Sequence, residues 1–150
     1  MEVPTKRFGI VEVDESRILH FPEGLIGFPD YRRFIVLDLD KGGFLKWLQS
    51  VDEESLGFVI IDPRVPFVDY DPVFAPGDLQ GLGACRPDEL VLMSVVTVPG
   101  DAKEMTANLL APLLINPEKR LGRQVIVSDP KYTTKHQVFA ALQDLMKRTG

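Results

Sequence analysis

Two histidines, one cysteine and a run of proline-spaced aspartates are the side chains of this 150-residue chain with the chemistry to act on a substrate. Histidine titrates nearest neutral pH and is the usual general base. His20 lies in Ile-Leu-His-Phe, a strand-like context, and His136 falls in the expected first turn of a C-terminal helix. Neither stands at a recognisable spacing from a nucleophile, and both read as structural or exposed. Cys85, in Gly-Ala-Cys-Arg-Pro, is a candidate reactive thiol beside Arg86, though a lone, partly buried cysteine is the plainer reading. One cysteine makes neither an internal disulfide nor a cysteine-based zinc site. Gly77, Gly81 and Gly83 precede no Lys-Ser/Thr pair and do not form Gly-x-Gly-x-x-Gly, which excludes a phosphate loop. Asp38-Leu-Asp-Lys-Gly-Gly opens like a calcium loop, but Gly42 and Gln49 stand where two oxygen ligands are required. A glycine turn between strands explains it better, and no cofactor is expected.

The richest segment is 62–72, Asp-Pro-Arg-Val-Pro-Phe-Val-Asp-Tyr-Asp-Pro. Prolines lower the entropy lost when a loop is ordered. They hold Phe67 and Tyr70 between Asp62, Asp69 and Asp71. Three readings follow: a rigid recognition loop, a plain structural turn, or paired carboxylates for acid–base work. The first makes Phe67, Asp69, Tyr70 and Asp71 candidate protein-binding residues.

Those residues sit within an uneven charge distribution. The net charge is −5, but residues 1–80 hold 15 acidic and 8 basic groups, whereas 81–150 hold 7 and 9. Nine carboxylates fall between Asp38 and Asp78. They read either as a solvated face or as a surface that attracts basic partners and repels nucleic acid. The acidity argues against direct grip on a phosphate backbone, which needs clustered Lys and Arg. No apolar stretch follows the N-terminal Lys-Arg, so no signal peptide is expected. Nor does any run reach membrane-spanning length. A cytoplasmic setting and a monomer are the simple expectations.

The elements that must position these groups are mostly short strands. Segments 7–13 and 17–21 read as a hairpin around Asp14-Glu15-Ser16, and 34–39, 44–48, 56–61, 90–98 and 123–128 are further strand-length runs. Twelve glycines and twelve prolines punctuate them. At 45% hydrophobic and 26% charged residues, the chain has the composition of one globular domain spanning 1–150. From 135 to 148, Val138, Leu142 and Leu145 recur at helical spacing, with Thr134 and Gln137 at capping-box distance. The expected fold is therefore mainly β, a small antiparallel β-barrel-like domain with a C-terminal amphipathic α-helix. That helix either covers an open edge of the β-structure or serves as a docking element.

Several blocks together resemble the FliW family of bacterial flagellar assembly factors: Phe-Pro-Glu-Gly-Leu-Ile-Gly-Phe at 21–28, Leu48-Gln49-Ser50, Phe-Val-Ile-Ile-Asp-Pro at 58–63, Thr-Ala-Asn-Leu-Leu-Ala-Pro-Leu-Leu-Ile-Asn at 106–116, and Gln124. The resemblance runs from about residue 8 to residue 132. It implies a compact barrel without catalytic activity that binds the translational repressor CsrA (carbon storage regulator) and cytoplasmic flagellin. Unsecreted flagellin would occupy the factor and free CsrA to repress flagellin translation; export would reverse this. Antagonism would act away from the RNA-binding surface of CsrA. Within the long motif, Asn108 and Asn116 either lock backbone at a strand bend or, for Asn108, touch a partner. The alternative from another class is a barrel that binds a small molecule, such as a flavin or nucleotide, or acts on one.

Overall fold

The computed structural model of the chain describes residues 1–39, 44–84 and 86–149. The glycine turn at 41–43 and Cys85 lie outside the described residues. In chain order the elements are β1 (Glu2–Thr5), β2 (Gly9–Glu12), β3 (Leu19–His20), β4 (Arg33–Asp38), β5 (Leu45–Ser50), β6 (Gly57–Ile61) and the short helix α1 (Pro76–Gln80). Then come β7 (Val91–Thr97), β8 (Thr106–Ala107), β9 (Leu113–Asn116), β10 (Leu121–Gln124), β11 (His136–Gln137) and helix α2 (Val138–Thr149).

Seven strands close on themselves in the order β7–β6–β5–β4–β3–β10–β9 and back to β7, forming the expected barrel. Closure removes the edges on which sheets otherwise aggregate. All pairings are antiparallel except the contact of β3 with β10, where Leu121 meets His20. Period-two alternation sends Phe34, Leu48, Ile60, Met93, Leu113 and Ile115 into one buried cluster, the barrel interior. Phe21 fills its axis, edge-on to Phe34 with ring centroids 5.4 Å apart. Gly122 makes room for it, since a Cβ there would lie 2.4 Å from the Phe21 ring.

Alternate residues on the same strands face outward into two further layers. Ile35 joins Val3, Val13 and Ile18 under the N-terminal pair β1–β2. Ile61, Leu92, Val96 and Leu114 pack beneath the 62–84 segment, the 125–132 segment and the start of α2.

The first hairpin differs from the sequence expectation. Residues 2–5 pair with 9–12, with Val3 opposite Val11, and 17–21 does not join them. Thr5 Oγ1 accepts the Phe8 N–H at 2.8 Å, and Gly9 takes φ +69, which together close a tight turn. Asp14 accepts the Ser16 N–H at 2.9 Å, winding 15–17 into a 3₁₀ turn that carries β3 into the barrel.

The C-terminal helix also begins later than its apolar stripe suggests. His136 and Gln137 are extended and pair with Ala107 and Thr106, and the Val138 N–H donates to the Met105 carbonyl at 3.2 Å. Hydrogen bonding to β8 thus takes the place of the expected Thr134/Gln137 capping box, and His136 is a strand residue. Likewise β10 ends at Gln124, after which Val125 and Val127 donate to the carbonyls of Pro112 and Leu110.

Candidate functional site

The proline-rich segment 62–72 folds back over the outer apolar layer, held by local turns. Asp62 accepts the Arg64 N–H at 3.0 Å, and the Phe67 N–H donates to the Pro63 carbonyl. Tyr70 is the anchor. It is buried, its hydroxyl donates to the Leu109 carbonyl at 2.7 Å, and burial raises its pKa strongly. Its ring meets Tyr132 edge-on with centroids 4.7 Å apart, while the Tyr132 hydroxyl accepts the Asp71 N–H at 3.0 Å.

Between this segment and α2 opens a cleft of about 310 Å³. Phe67, Asp69 and Tyr70 form one wall, Tyr132 and His136 the floor, and Leu145 of α2 the other side. Phe67 is half-buried, while Asp69 and Asp71 are exposed and form no salt bridge among the described residues. His136 packs against Phe67 at 5.8 Å between centroids and its Nε2 accepts the Thr133 N–H at 2.9 Å. Burial holds its pKa below the ordinary imidazole value. Lys131 lies 5.3 Å from the Tyr132 ring centroid, with its pKa raised by Asp129 and then Tyr132. The site is thus an aromatic floor lined also by Asp69, Asp144 and Lys131, suited to an apolar side chain with polar neighbours.

Three of the five residues singled out from the sequence, Phe67, Asp69 and Tyr70, therefore line one cleft, and Asp71 adjoins it through its backbone N–H to Tyr132. Asn108 does not. It lines a separate cavity of about 300 Å³ with Leu25, Phe58 and Gln124. Its Oδ1 accepts the N–H groups of Leu110 and Ala111 at 3.1 and 2.9 Å. Asn116 plays a matching part, donating Nδ2 to the buried Leu82 carbonyl at 2.8 Å. Both amides lock backbone at bends. Sequence reasoning missed Lys131, Tyr132, Ala141 and Leu145; the apolar stripe on α2 was the available signal, but not which surface it would meet.

His20 is exposed on β3. No group of three or more His, Cys, Asp or Glu side chains able to hold a metal occurs among the described residues, and no helix there is long and apolar enough to cross a membrane.

The carboxylates of 38–78 do not form one surface. Asp38 pairs with Lys46, Asp52 with Arg33 and Asp78 with Arg123. Asp52, Glu53 and Glu54 follow β5 at one end of the barrel, whereas Asp38 and Asp62 lie at the other, because Leu45 pairs with Ile61 and Asp38 with Lys46. A strand of this length separates the ends by about 17 Å, roughly twice the Debye length at physiological salt. Of these carboxylates Asp69 lines the cleft, and Asp71 adjoins it through its backbone N–H to Tyr132.

Comparison with known proteins bears on the whole of this framework. The family model described as FliW protein matches residues 2–138, from the first residue of β1 to the first of α2. A flagellar assembly factor FliW of Natranaerobius thermophilus is 41% identical over 140 residues, 93% of each chain. One from Leptospira interrogans is 39% identical over 140 residues, again 93% of each. The crystal structure of a flagellar assembly factor FliW matches with a TM-score of 0.87 at 36% identity, covering 93% of this chain and 97% of that one. With sequence and barrel in register over nearly their full lengths, the chain belongs to the FliW family.

Proposed function

We propose that this chain is a non-catalytic, cytoplasmic regulator of flagellar assembly that switches between two protein partners. It binds CsrA and relieves repression of flagellin mRNA, and cytoplasmic flagellin releases it. The observation that carries this reading is the family match across 2–138 to proteins named flagellar assembly factors. The cleft supports a binding role for Phe67, Asp69 and Tyr70, which line it, and Asp71 stands beside it with its N–H on the Tyr132 hydroxyl. Asn108 supports the same role only indirectly, by holding the bend that carries Leu109 to Tyr70.

Relief of repression requires that the chain bind free CsrA more tightly than RNA-bound CsrA. Exposed carboxylates brought near a bound RNA supply that difference by repulsion, over about 8 Å at physiological salt. Size-exclusion chromatography of the three purified proteins tests the switch. A complex with CsrA that dissociates on adding flagellin is expected; no complex in any pairwise mixture would refute the reading.

A further inference from the structure

Among the described residues, the barrel is filled at one end by Phe21 and Phe34 and open at the other. Alternation places Val36, Asp38 and Lys46 on the inward face with Phe34 and Leu48, and Val91 with Met93. At the end away from Phe21 no described residue covers these inward positions. Val36 and Val91 are 42% and 43% exposed, above a floor in which Ile60, Met93 and Ile115 are buried. The result is a basin of about 540 Å³, larger than the cleft beside α2. Barrel mouths of this size are common small-molecule sites.

The rim is cationic in an otherwise acidic protein. Lys46 is neutralised by Asp38, but Arg17 and Arg120 also line the basin, and neither forms a salt bridge among the described residues. Arg120 donates from Nη1 to a neutral acceptor, the Glu15 carbonyl, at 3.3 Å. It does so from a left-handed backbone at φ 57, where glycine or asparagine would sit without strain. Strain kept at a ligand-sized basin is a pointer to use. Two guanidiniums lining a basin with apolar walls complement a carboxylate on an apolar body, because the planar fork binds both carboxylate oxygens.

We propose that the barrel mouth binds a small amphiphilic carboxylate, its anionic group on Arg17 and Arg120 and its apolar body over Val36, Val91 and Met93. This site is independent of the partner switch and of the cleft.

Decanoate is the probe, titrated calorimetrically into the full chain, with decanol as the uncharged control. Saturable one-to-one binding about tenfold tighter for decanoate than for decanol is expected, the worth of a charge-assisted hydrogen bond. Arg17→Gln combined with Arg120→Gly should abolish that preference; the glycine also relieves the left-handed backbone, so the fold is spared. In the unmutated protein with methyl-labelled methionine, the Met93 signal should shift on addition of decanoate. No saturable binding, equal affinity for decanol, a preference that survives the double variant, or a shift confined to Met146 would each overturn the proposal. So would tighter binding of acetyl-Val-Leu with a free carboxylate, which would make a protein C-terminus the occupant.

Discussion

His136 illustrates how one side chain can serve structure in a place where chemistry was conceivable. Its Nε2 accepts the Thr133 N–H, which requires the unprotonated nitrogen, and burial independently disfavours the charged ring. The folded-state pKa is therefore depressed, so the unfolded chain takes up a proton first as pH falls below about 6.5. The unfolded state then binds more protons, and stability falls with falling pH until the folded ring also titrates. We expect the urea midpoint to drop as pH falls through about 6.5, and the drop to shrink in His136→Gln, which retains an acceptor. An undiminished drop in that variant would assign the effect to carboxylates instead. Tyr70 makes the same point from the other side: a residue marked for recognition by its neighbours is buried as the anchor of the segment, while Phe67, Asp69 and Asp71 are the more exposed of the set.

Among the elements, strands β8 and β9 and the bend between them organise the site. Both pair with one edge of β7, Ala107 opposite Val96 and Leu113 opposite Met93, while 108–112 leaves the ladder. Pro112 cannot donate there, and Asn108 supplies the acceptor that the departing N–H groups need. The bend presents the Leu109 carbonyl to Tyr70, the Ala111 carbonyl to Gln124 and the Leu110 carbonyl to the Val127 N–H. Gln124 in turn accepts the Ile26 N–H at 2.8 Å, fastening the 24–28 turn to the barrel. Gln49 fastens the β5–β6 turn in the same manner, its amide donating to the carbonyls of Ser50, Glu54 and Leu56. The polar residues in the family-like blocks are thus largely backbone locks. Asn108→Ala should destabilise the protein by about 1–2 kcal/mol by leaving the Ala111 N–H without its acceptor. Asn108→Asp should recover much of that loss, and denaturant melts of the two variants decide between a lost hydrogen bond and a lost shape.

For the molecule as a whole, the distribution of charge matters more than its sum. The net −5 is spread over both barrel ends and partly cancelled in ion pairs, and of the 38–78 carboxylates Asp69 lines the cleft with Asp71 beside it. Replacing Asp69→Lys and Asp71→Lys together tests whether this remnant drives RNA off CsrA. Both side chains are exposed, so stability should change by no more than about 0.5 kcal/mol. The Asp71 contact to Tyr132 is made by its backbone and survives the change. RNA displacement, followed by anisotropy of a labelled RNA on CsrA, should weaken by about tenfold at low ionic strength and by less as salt is added. Displacement equal to that of the unmutated chain would remove this segment from the mechanism.

Local chemistry was enough to locate most of the strands, because period-two alternation and the Gly and Pro that interrupt it are properties of neighbours in the chain. Segments 34–39, 44–48, 56–61 and 90–98 each correspond to an observed strand displaced by a residue or two. The strand β1 was missed because it is short and carries Pro4, and the start of α2 because its first expected residues are claimed by β8, far away in sequence. The aromatic and acidic residues of 62–72 were legible as a rigid, recognition-like segment. Tertiary structure alone decided that they face α2, that the carboxylates part company, and that one end of the barrel stays open among the described residues. Each of these depends on which strands become neighbours, and that follows from burying all the inward side chains at once rather than from any single stretch of chain.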